Sequence, residues 1–257
     1  MFDTPQFVTG PFTPRRVFLP DREYGLALDA LVKGCSDVLL VSASGERVLL
    51  GRRRVEPQPD WWFVGGRSRP GDTTSAAAAR NVKRELGLDF PEDRFEVVAN
   101  YSMVWSYREQ APTDNGTADL STVHALHLTD EEEKAGVPAL DPKEYHESRW
   151  WGVEEIIGGG DRFHPCLVNA VKALKAKSAY RKLERLASDV GDSDAEDIAK
   201  HAVEFVKAMQ EAKSAKRSVK VVFDVEGSKY VDQDENTAKR QKSDDENQEG
   251  KKSESSS

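Results

Sequence analysis

Residues 61–88 of the chain read WWFVGGRSRPGDTTSAAAARNVKRELGL. The first four residues are aromatic or branched and predict a strand, and the paired Gly65 and Gly66 that follow predict a tight turn. From Thr73 onward the sequence becomes rich in alanine, which predicts a helix. Gly87 is placed to end that helix, because glycine readily adopts the left-handed conformation found after a helix C-terminus. The stretch therefore predicts a strand, a turn, a loop and a helix, in that order.

The predicted helix has a polar face and an apolar face. Asn81, Arg84 and Glu85 lie three or four residues apart and share the polar face. Val82 and Leu86 belong to a neighbouring apolar stripe. We therefore expect one face to pack on a core and the other to meet a ligand. Backbone groups of a glycine turn that face the start of a helix suit a metal-bound pyrophosphate.

The same stretch resembles the Nudix hydrolase family. That family has a motif, the Nudix box, of the form G-x5-E-x7-R-E-U-x-E-E-x-G-U, in which U is a bulky aliphatic residue. Residues 66–88 follow this spacing without a gap. Matching residues stand at Gly66, Arg80, Val82, Glu85, Gly87 and Leu88. Asp72 is a conservative change, whereas Asn81 and Arg84 replace two carboxylates that the family uses for metal.

The resemblance implies a fold and the boundaries of its domain. A Nudix domain is an α/β/α sandwich around a mixed β-sheet, and we expect it over 35–175, with the resemblance itself spanning about 36–169. An N-terminal arm with a short helix is expected over 1–34, and a C-terminal helical extension over 176–213. Lysine, aspartate, glutamate and serine dominate residues 214–257 and aromatic residues nearly vanish, so a disordered tail is expected there apart from a possible strand at 219–223.

Hydrophobic periodicity and turn residues predict further elements. Strands are expected at 37–42, 47–50, 96–107, 120–128, 149–152 and 219–223. Helices are expected at 21–33, at 153–157, from Pro165 to about residue 186, and past residue 192.

Composition limits the classes of function. The net charge of -8 disfavours a protein that coats nucleic acid by electrostatics alone. Cys35 and Cys166 lack the spacing of metal ligands or of a disulfide scaffold. The sequence has no apolar run of signal-peptide or membrane-spanning length, so we expect a soluble, cytoplasmic protein. A basic cluster at 239–242 beside Ser243 resembles a nuclear import signal and leaves nuclear entry open.

Within the Nudix family, the sequence is most similar to GDP-mannose mannosyl hydrolases. Those enzymes also lack most of the box glutamates and work with one magnesium ion. The similarity rests on the segments 36–37, 51–53, 62–67 and 85–88. The proline that usually precedes the two glycines is missing here.

This resemblance implies a substrate site. Asp37 would bind sugar hydroxyls, and Arg53 and Arg67 would hold and neutralise the diphosphate. Arg67 would also act in catalysis, because it absorbs charge that develops on the leaving group. Trp105 follows the box on a predicted strand, where it could stack a guanine or another base or serve as a core or rim aromatic.

The missing carboxylates also bear on the metal. A cluster of several magnesium ions is not expected, because such a cluster needs many oxygen ligands. One Mg²⁺, or Mn²⁺ in its place, is expected instead. Its ligands would be Glu85, a carbonyl of Gly65 or Gly66, and Glu144, which falls at a metal-ligand position of the similar family. Arg84 could supply the positive charge of a second ion.

The implied reaction is attack by water on the anomeric carbon of a nucleotide sugar, with departure of the nucleoside diphosphate. Tyr145 falls at the position of the catalytic base, and His146, one residue later, is the alternative. The general base therefore stays open between these two residues.

Other functions fit the same residues. One is pyrophosphate cleavage of a nucleotide or of an RNA 5′ end. Another is a Nudix fold that binds a nucleotide or RNA without turnover, and the plainest is an alanine-rich surface helix after a glycine turn. A nucleoside diphosphate substrate is the expected partner, a membrane is not, and nucleic acid and a homodimer stay open.

Overall fold

A computed structural model describes residues 4–15, 17–55, 60–188, 195–213 and 218–233. The basic cluster at 239–242 and Ser243 lie outside the described residues. Among the helices that are described, none combines the length and the apolar character needed to cross a membrane.

A seven-stranded mixed sheet lies at the centre of the fold. Its strands are β1 Lys33–Val41, β2 Arg47–Arg53, β3 Trp61–Trp62, β4 Val64–Arg67, β5 Glu96–Trp105, β6 Thr117–His127 and β7 Tyr145–Gly152. Their order is β3-β2-β1-β6-β5, and β4 pairs with β1 while β7 pairs with β2. The β1–β6 pair is parallel, and the other pairs are antiparallel.

Helices cover both faces of this sheet. They are α1 Asp21–Ala30, α2 Thr74–Leu86, α3 Asp130–Ala135, α4 Val153–Ile157, α5 Pro165–Ser188 and α6 Ala195–Ala212. The core on one face includes residues of α2, and the core on the other includes residues of α4 and α5. The expected α/β/α sandwich around a mixed sheet is confirmed.

Alternation along β1 produces the two cores. Val38 and Leu40 pack with Val82 on the α2 face. Leu39 and Val41 pack on the opposite face, in the core that contains α5. Because both faces of the strand are covered, its sequence is a continuous apolar run rather than an alternating one.

The ends of α2 are formed by the residues that the sequence indicated. Thr73 Oγ1 accepts a hydrogen bond of 2.9 Å from the Ala76 amide, which satisfies one of the free donors of the first turn. Gly87 ends the helix with φ of 67°, where a side chain would add strain.

Gly65 and Gly66 lie inside β4, so the predicted glycine turn is wrong. They pair with Asp37 and Ser36 of β1 in an antiparallel ladder. A Cβ atom on Gly65 would lie 2.7 Å from the Ser36 carbonyl oxygen, a distance that real Cβ atoms do not show. The pair of glycines therefore serves close approach of two strands rather than reversal of the chain.

The N-terminal helix is shorter than expected. It ends at Ala30, and Leu31 is extended with φ of -130°. Residues 31–32 form the connection, and Lys33 is the first residue of β1, so none of the three belongs to the predicted helix over 21–33.

The expected domain boundary at 176 falls inside a helix. α5 begins at Pro165, as predicted, and its residues Leu167, Val171 and Leu174 are buried in the core. The helix then continues to Ser188, and α6 packs along it. The extension is thus the second half of α5 together with α6.

The strand predicted at 219–223 is present as β8 Val221–Asp224, but disorder was expected for the rest of the tail, where β9 Lys229–Asp232 pairs with β8 in a hairpin. Tyr230 is buried, and its hydroxyl donates a 2.9 Å hydrogen bond to Asp60 Oδ2. Its ring also contacts that of Phe223, so two aromatic side chains pack in a segment whose overall composition indicated disorder.

Replacing Gly65 by alanine should destabilise the fold, because the added Cβ forces β4 away from β1. The expected loss in free energy of unfolding is about 1–3 kcal/mol, measured by urea denaturation followed through tryptophan fluorescence. Gly34→Ala in the same strand pair is the matched control, since its Cβ would meet nothing closer than Ser68 Cβ at 4.0 Å. Equal stability of the two variants would contradict the close-approach explanation.

Candidate functional site

A cavity of about 250 Å³ lies beside the β1–β4 ladder. The predicted site residues that line it are Asp37, Arg53, Gly65, Gly66, Arg67, Trp105, Glu144 and Tyr145. Glu85 lies next to it, bonded to the lining residue Arg84. The fold therefore brings together almost all of the predicted residues, which come from distant parts of the sequence.

A larger groove of about 570 Å³ lies elsewhere on the protein. It contains Thr73 and Ser75 at the start of α2, together with residues of β5, α5 and the N-terminal arm, and none of the predicted site residues. The start of the helix thus faces this groove rather than the cavity that holds the predicted site residues, and ligand binding at the helix start stays a prediction. The cavity meets α2 at Arg84, in its last turn, because the carbonyls of β4 lie against that end of the helix.

Arg53 has the features of an anion-binding residue. Its Nε atom is buried in the protein and has no hydrogen-bond partner among the described residues. Its neighbours differ, because Arg52 forms an ion pair with Glu147 at 3.5 Å and Arg54 Nε donates to the Tyr145 carbonyl at 3.1 Å. A buried guanidinium nitrogen without a partner is costly unless a ligand satisfies it.

Arg67 is the second arginine predicted to bind phosphate. It is exposed at the end of β4 and lies over the ring of Tyr24, with its Cζ 5.1 Å from the ring centroid. This cation–π contact orients the side chain without neutralising its charge. Arg53 and Arg67 thus both present positive charge to the cavity.

Asp37 is a buried carboxylate in the wall of the cavity. It is 8% exposed, and its Oδ2 accepts a 2.5 Å hydrogen bond from Ser121 Oγ. Burial raises the pKa of Asp37 to about 6, while the Ser121 hydrogen bond and the nearby charge of Arg53 act in the opposite direction. The group is therefore mostly ionised at neutral pH and gains a proton in mild acid.

Trp105 is fixed in the same wall. Its Nε1 donates a 2.8 Å hydrogen bond to Asp119 Oδ2, and its ring meets that of Trp62 edge-on at 5.6 Å. Lys33 Nζ lies 3.1 Å from the other carboxylate oxygen of Asp119. The indole is thus held in one orientation, and stacking of a base on it stays a prediction.

Exposed Arg84 and buried Glu85 form an ion pair beside β4. Glu85 is 6% exposed; burial raises its pKa, and the hydrogen bond from Arg84 acts against that rise. Arg84 Nε donates to Glu85 Oε1 at 2.8 Å, and Nη2 donates both to that oxygen and to the Gly65 carbonyl, the latter at 3.1 Å. A Cβ on Gly66 would lie 2.9 Å from Nη2. The guanidinium therefore sits against β4 and bridges it to Glu85.

Asn81 is fully buried, so the expectation that it faces a ligand is wrong. Its Nδ2 donates to the carbonyl oxygens of Ser36 at 3.1 Å and Gly66 at 2.9 Å. Its Oδ1 accepts a 2.9 Å bond from Arg80 Nη1. Arg80 in turn pairs with Asp72 at 2.8 Å, which ties the loop before α2 to the helix.

The predicted metal ligands do not form an open site for one ion. The carbonyl of Gly65 accepts from Arg84, that of Gly66 accepts from Asn81, and the carboxylate of Glu85 holds Arg84. No group of three His, Cys, Asp or Glu side chains is arranged to hold a metal in the described part of the chain. An ion placed at Glu85 and Gly65 would meet a guanidinium, so these residues do not fit the magnesium ion that the resemblance implied.

The structure separates the two candidates for the general base. Tyr145 is 4% exposed, and burial raises its pKa, so the phenol keeps its proton and can only donate or accept hydrogen bonds at neutral pH. His146 is exposed and absent from the cavity lining, and it falls where the pairing of β7 with β2 shifts register, between Arg52–Glu147 and Arg53–Tyr145. Cys35 lines the cavity, but burial raises its pKa to about 12, and it stays a thiol.

Sequence reasoning missed several cavity residues. Lys33, Arg108 and Asp119 all line it, and Arg108 is 2% exposed with a 2.7 Å ion pair to Asp29. One signal was present, because Asp119 and Ser121 are alternate residues at the start of an otherwise buried strand. Two polar side chains on the inner face of such a strand indicate a site.

Comparison with known proteins now gives the family. The NUDIX domain model matches residues 35–171, so the chain belongs to the NUDIX domain family. The Nudix box and the α/β/α sandwich together define its class as that of the Nudix hydrolases. The matched segment runs from β1 into the first half of α5.

Solved structures similar to this chain include the MutT protein from Methanosarcina mazei Go1, with 17% identity, 57% of this chain and 95% of that chain covered, and a TM-score of 0.44. The Ap4A hydrolase of C. elegans has 16% identity, coverage of 57% and 98%, and a TM-score of 0.38. The E. coli ORF135 protein has 22% identity, coverage of 58% and 94%, and a TM-score of 0.38. At such identities the likeness extends to the fold alone.

The raised pKa of Asp37 predicts a pH-dependent effect on stability. The unfolded chain gives this carboxyl its ordinary pKa of 3.8, against about 6 in the folded state. Between these values the folded state binds more protons, so the contribution of Asp37 to the free energy of unfolding is present below about pH 4 and is lost as the pH rises through 6. Asparagine does not titrate in this range. The free energy of unfolding of Asp37→Asn should therefore rise relative to that of the wild type, by up to ~3 kcal/mol across that window.

The measurement is urea denaturation of both proteins at several pH values between 4 and 8. Only the difference between the two proteins is compared, which cancels every other titrating group that they share. A difference that stays constant over the whole range would contradict a raised pKa for Asp37.

Proposed function

We propose that the chain hydrolyses a nucleoside diphosphate derivative in this cavity, with a nucleotide sugar of the GDP-mannose type as the leading substrate class. The observation that supports this most is the buried, unpartnered Nε of Arg53 in the cavity wall. Guanidinium groups form paired, charge-assisted hydrogen bonds with phosphate oxygens, so a diphosphate would satisfy this nitrogen.

Positive charge on the cavity lining supports a diphosphate as the ligand. Arg53 and Arg67 would donate to its oxygens, and both are attached to strands, which keeps their positions fixed. As the bond to the leaving group breaks, negative charge grows on the diphosphate, and arginines already in place would stabilise it without reorganisation.

Asp37 supports a sugar as the attached group. An ionised carboxylate accepts hydrogen bonds from hydroxyl groups, and Ser121 holds this one in place. A negative charge in the wall would also stabilise positive charge that develops at an anomeric carbon. Because Tyr145 keeps its proton and His146 is outside the cavity lining, the proton of the attacking water is assigned to Asp37, one of the carboxylates that line the cavity.

In the proposed reaction, the oxygen of water forms a bond to the anomeric carbon, and the bond from that carbon to the diphosphate oxygen breaks. The electron pair leaves with the nucleoside diphosphate, beside Arg53 and Arg67. The proton of the water passes to Asp37. A divalent ion, Mg²⁺ or Mn²⁺, would have to displace Arg84 from Glu85 before it could take part.

Nucleotide binding without turnover is the second candidate function. It is favoured by the placement of Tyr145 and His146, neither of which can act as a base in the cavity. The same arginines would then serve recognition alone.

The function is tested by incubating the protein with a panel of nucleotide sugars in ¹⁸O-labelled water and analysing the products by mass spectrometry. The proposal expects the label in the released sugar, because water attacks carbon. Label in a phosphate would mean attack at phosphorus and would contradict the proposed reaction. Binding of the same compounds without product would favour the second candidate.

Arg53→Met should lower kcat/KM for the best substrate by about 100-fold, because one preorganised donor to the diphosphate is lost. Arg52→Met is the matched control, since Arg52 is the next residue of β2 and pairs with Glu147 rather than lining the cavity. Activity that falls equally in both variants would remove Arg53 from the site.

A further inference from the structure

We infer that Arg84 takes the place of a divalent cation in this site, so that the cavity binds a diphosphate without metal. This inference rests on the proposed function, because it takes the ligand to be a diphosphate. It concerns a residue of the box at which this chain has a guanidinium in place of a family glutamate.

The contacts of Arg84 are those expected of a bound cation. Its guanidinium bonds the carboxylate of Glu85 and the carbonyl of Gly65, which are the two oxygen ligands that an ion at this position would use. The side chain of Glu85 is 2% exposed. A buried carboxylate charge is costly without a cationic partner, and Arg84 is that partner. An ion could reach these oxygens only after the guanidinium had left them.

Arg84 also keeps donors for a ligand. A guanidinium has five N–H groups, of which Nε and both hydrogens of Nη2 are used on Glu85 and Gly65. Nη1, with two N–H groups, makes no hydrogen bond within the described residues. The side chain is 49% exposed and lines the cavity, so these two donors are available to a phosphate oxygen.

The remaining surroundings would serve a metal ion poorly. Magnesium requires near-octahedral oxygen ligands and gives up its water reluctantly. The amide nitrogen of Asn81 stands where the family has a carboxylate, and it directs its hydrogens at the Gly66 carbonyl. This arrangement removes two oxygen ligands at once, since the carboxylate is missing and the carbonyl is already engaged.

Charge balance leads to the same conclusion. Arg84 and Glu85 neutralise each other, whereas a divalent ion at Glu85 would leave one positive charge. Arg53 and Arg67 form no ion pair with an acidic side chain in the described part of the chain, although the charge of Arg53 acts on Asp37 and Glu85. A diphosphate beside them would meet two guanidinium groups, and Arg84 adds two donors, so its binding would not depend on a metal.

The test uses the full chain and the variant Arg84→Glu, which restores a carboxylate. Binding of Mn²⁺ alone is followed by electron paramagnetic resonance, and binding of GDP as the probe is followed by calorimetry in EDTA and in Mg²⁺. The wild type should leave Mn²⁺ free and bind GDP equally well in EDTA and in Mg²⁺. Arg84→Glu should gain a Mn²⁺ site and bind GDP at least about tenfold more weakly in EDTA.

Lys83→Glu is the matched control, because it makes the same charge change one residue earlier, in an exposed ion pair with Asp89. It should behave as the wild type in both measurements. If Arg84→Glu does not fold, as judged by circular dichroism, Arg84→Gln replaces it, since a neutral side chain should also free Glu85 for Mn²⁺ and weaken GDP binding.

Two outcomes would overturn the inference: Mn²⁺ binding by the wild type as tight as that of Arg84→Glu, or GDP binding by the wild type that requires metal. Failure of the proposed function is distinguishable from these. If the wild type binds neither GDP nor nucleotide sugars in any buffer, the ligand assignment is wrong, whereas the Mn²⁺ measurement still reports whether Arg84 fills the cation position.

Discussion

The contact on which the site depends is the one between the C-terminal half of α2 and strand β4. Gly65 and Gly66 have no side chains, so β4 approaches β1 closely and the helix approaches β4. Asn81 and Arg84 then donate to the two glycine carbonyls, which fixes the helix against the strand. The junction therefore holds β4, whose ladder with β1 borders the cavity.

The same contact determines the electrostatics of the cavity. In a site built for metal, carboxylates on the helix would gather a divalent ion, and the ion would bind the phosphates. Here the helix itself supplies the cation, through Arg84, and Glu85 serves to hold that cation. The strands supply the other positive charges, at Arg53 and Arg67. In the proposed function, phosphate recognition would therefore use side chains whose charge does not depend on the supply of a metal.

Much of the fold could be predicted because its signals are local. The caps of α2 at Thr73 and Gly87, the apolar run of β1 and the spacing of the box are visible in short segments. The roles of Gly65 and Asn81 could not be read in this way, since a glycine that permits close approach looks like a glycine in a turn. An asparagine buried against two carbonyls likewise looks like one on a polar helix face.

The site was predictable where it followed the family spacing and unpredictable where it depended on contacts across the sheet. Asp37 and Arg53 were identified, but their neighbours Asp119 and Arg108 come from β6 and its preceding loop, which lack a motif. His146 was named as a base because it is one residue from the expected position. It falls where β7 shifts register against β2, a feature that has no local sequence signal, and its side chain is exposed.

The most direct measurement is an anomalous difference map from crystals grown with GDP and Mn²⁺. The account predicts the diphosphate beside Arg53, Arg67 and Nη1 of Arg84, with no manganese peak between the Gly65 carbonyl and Glu85. A manganese peak at that position, with the Arg84 side chain turned away from Glu85, would contradict it.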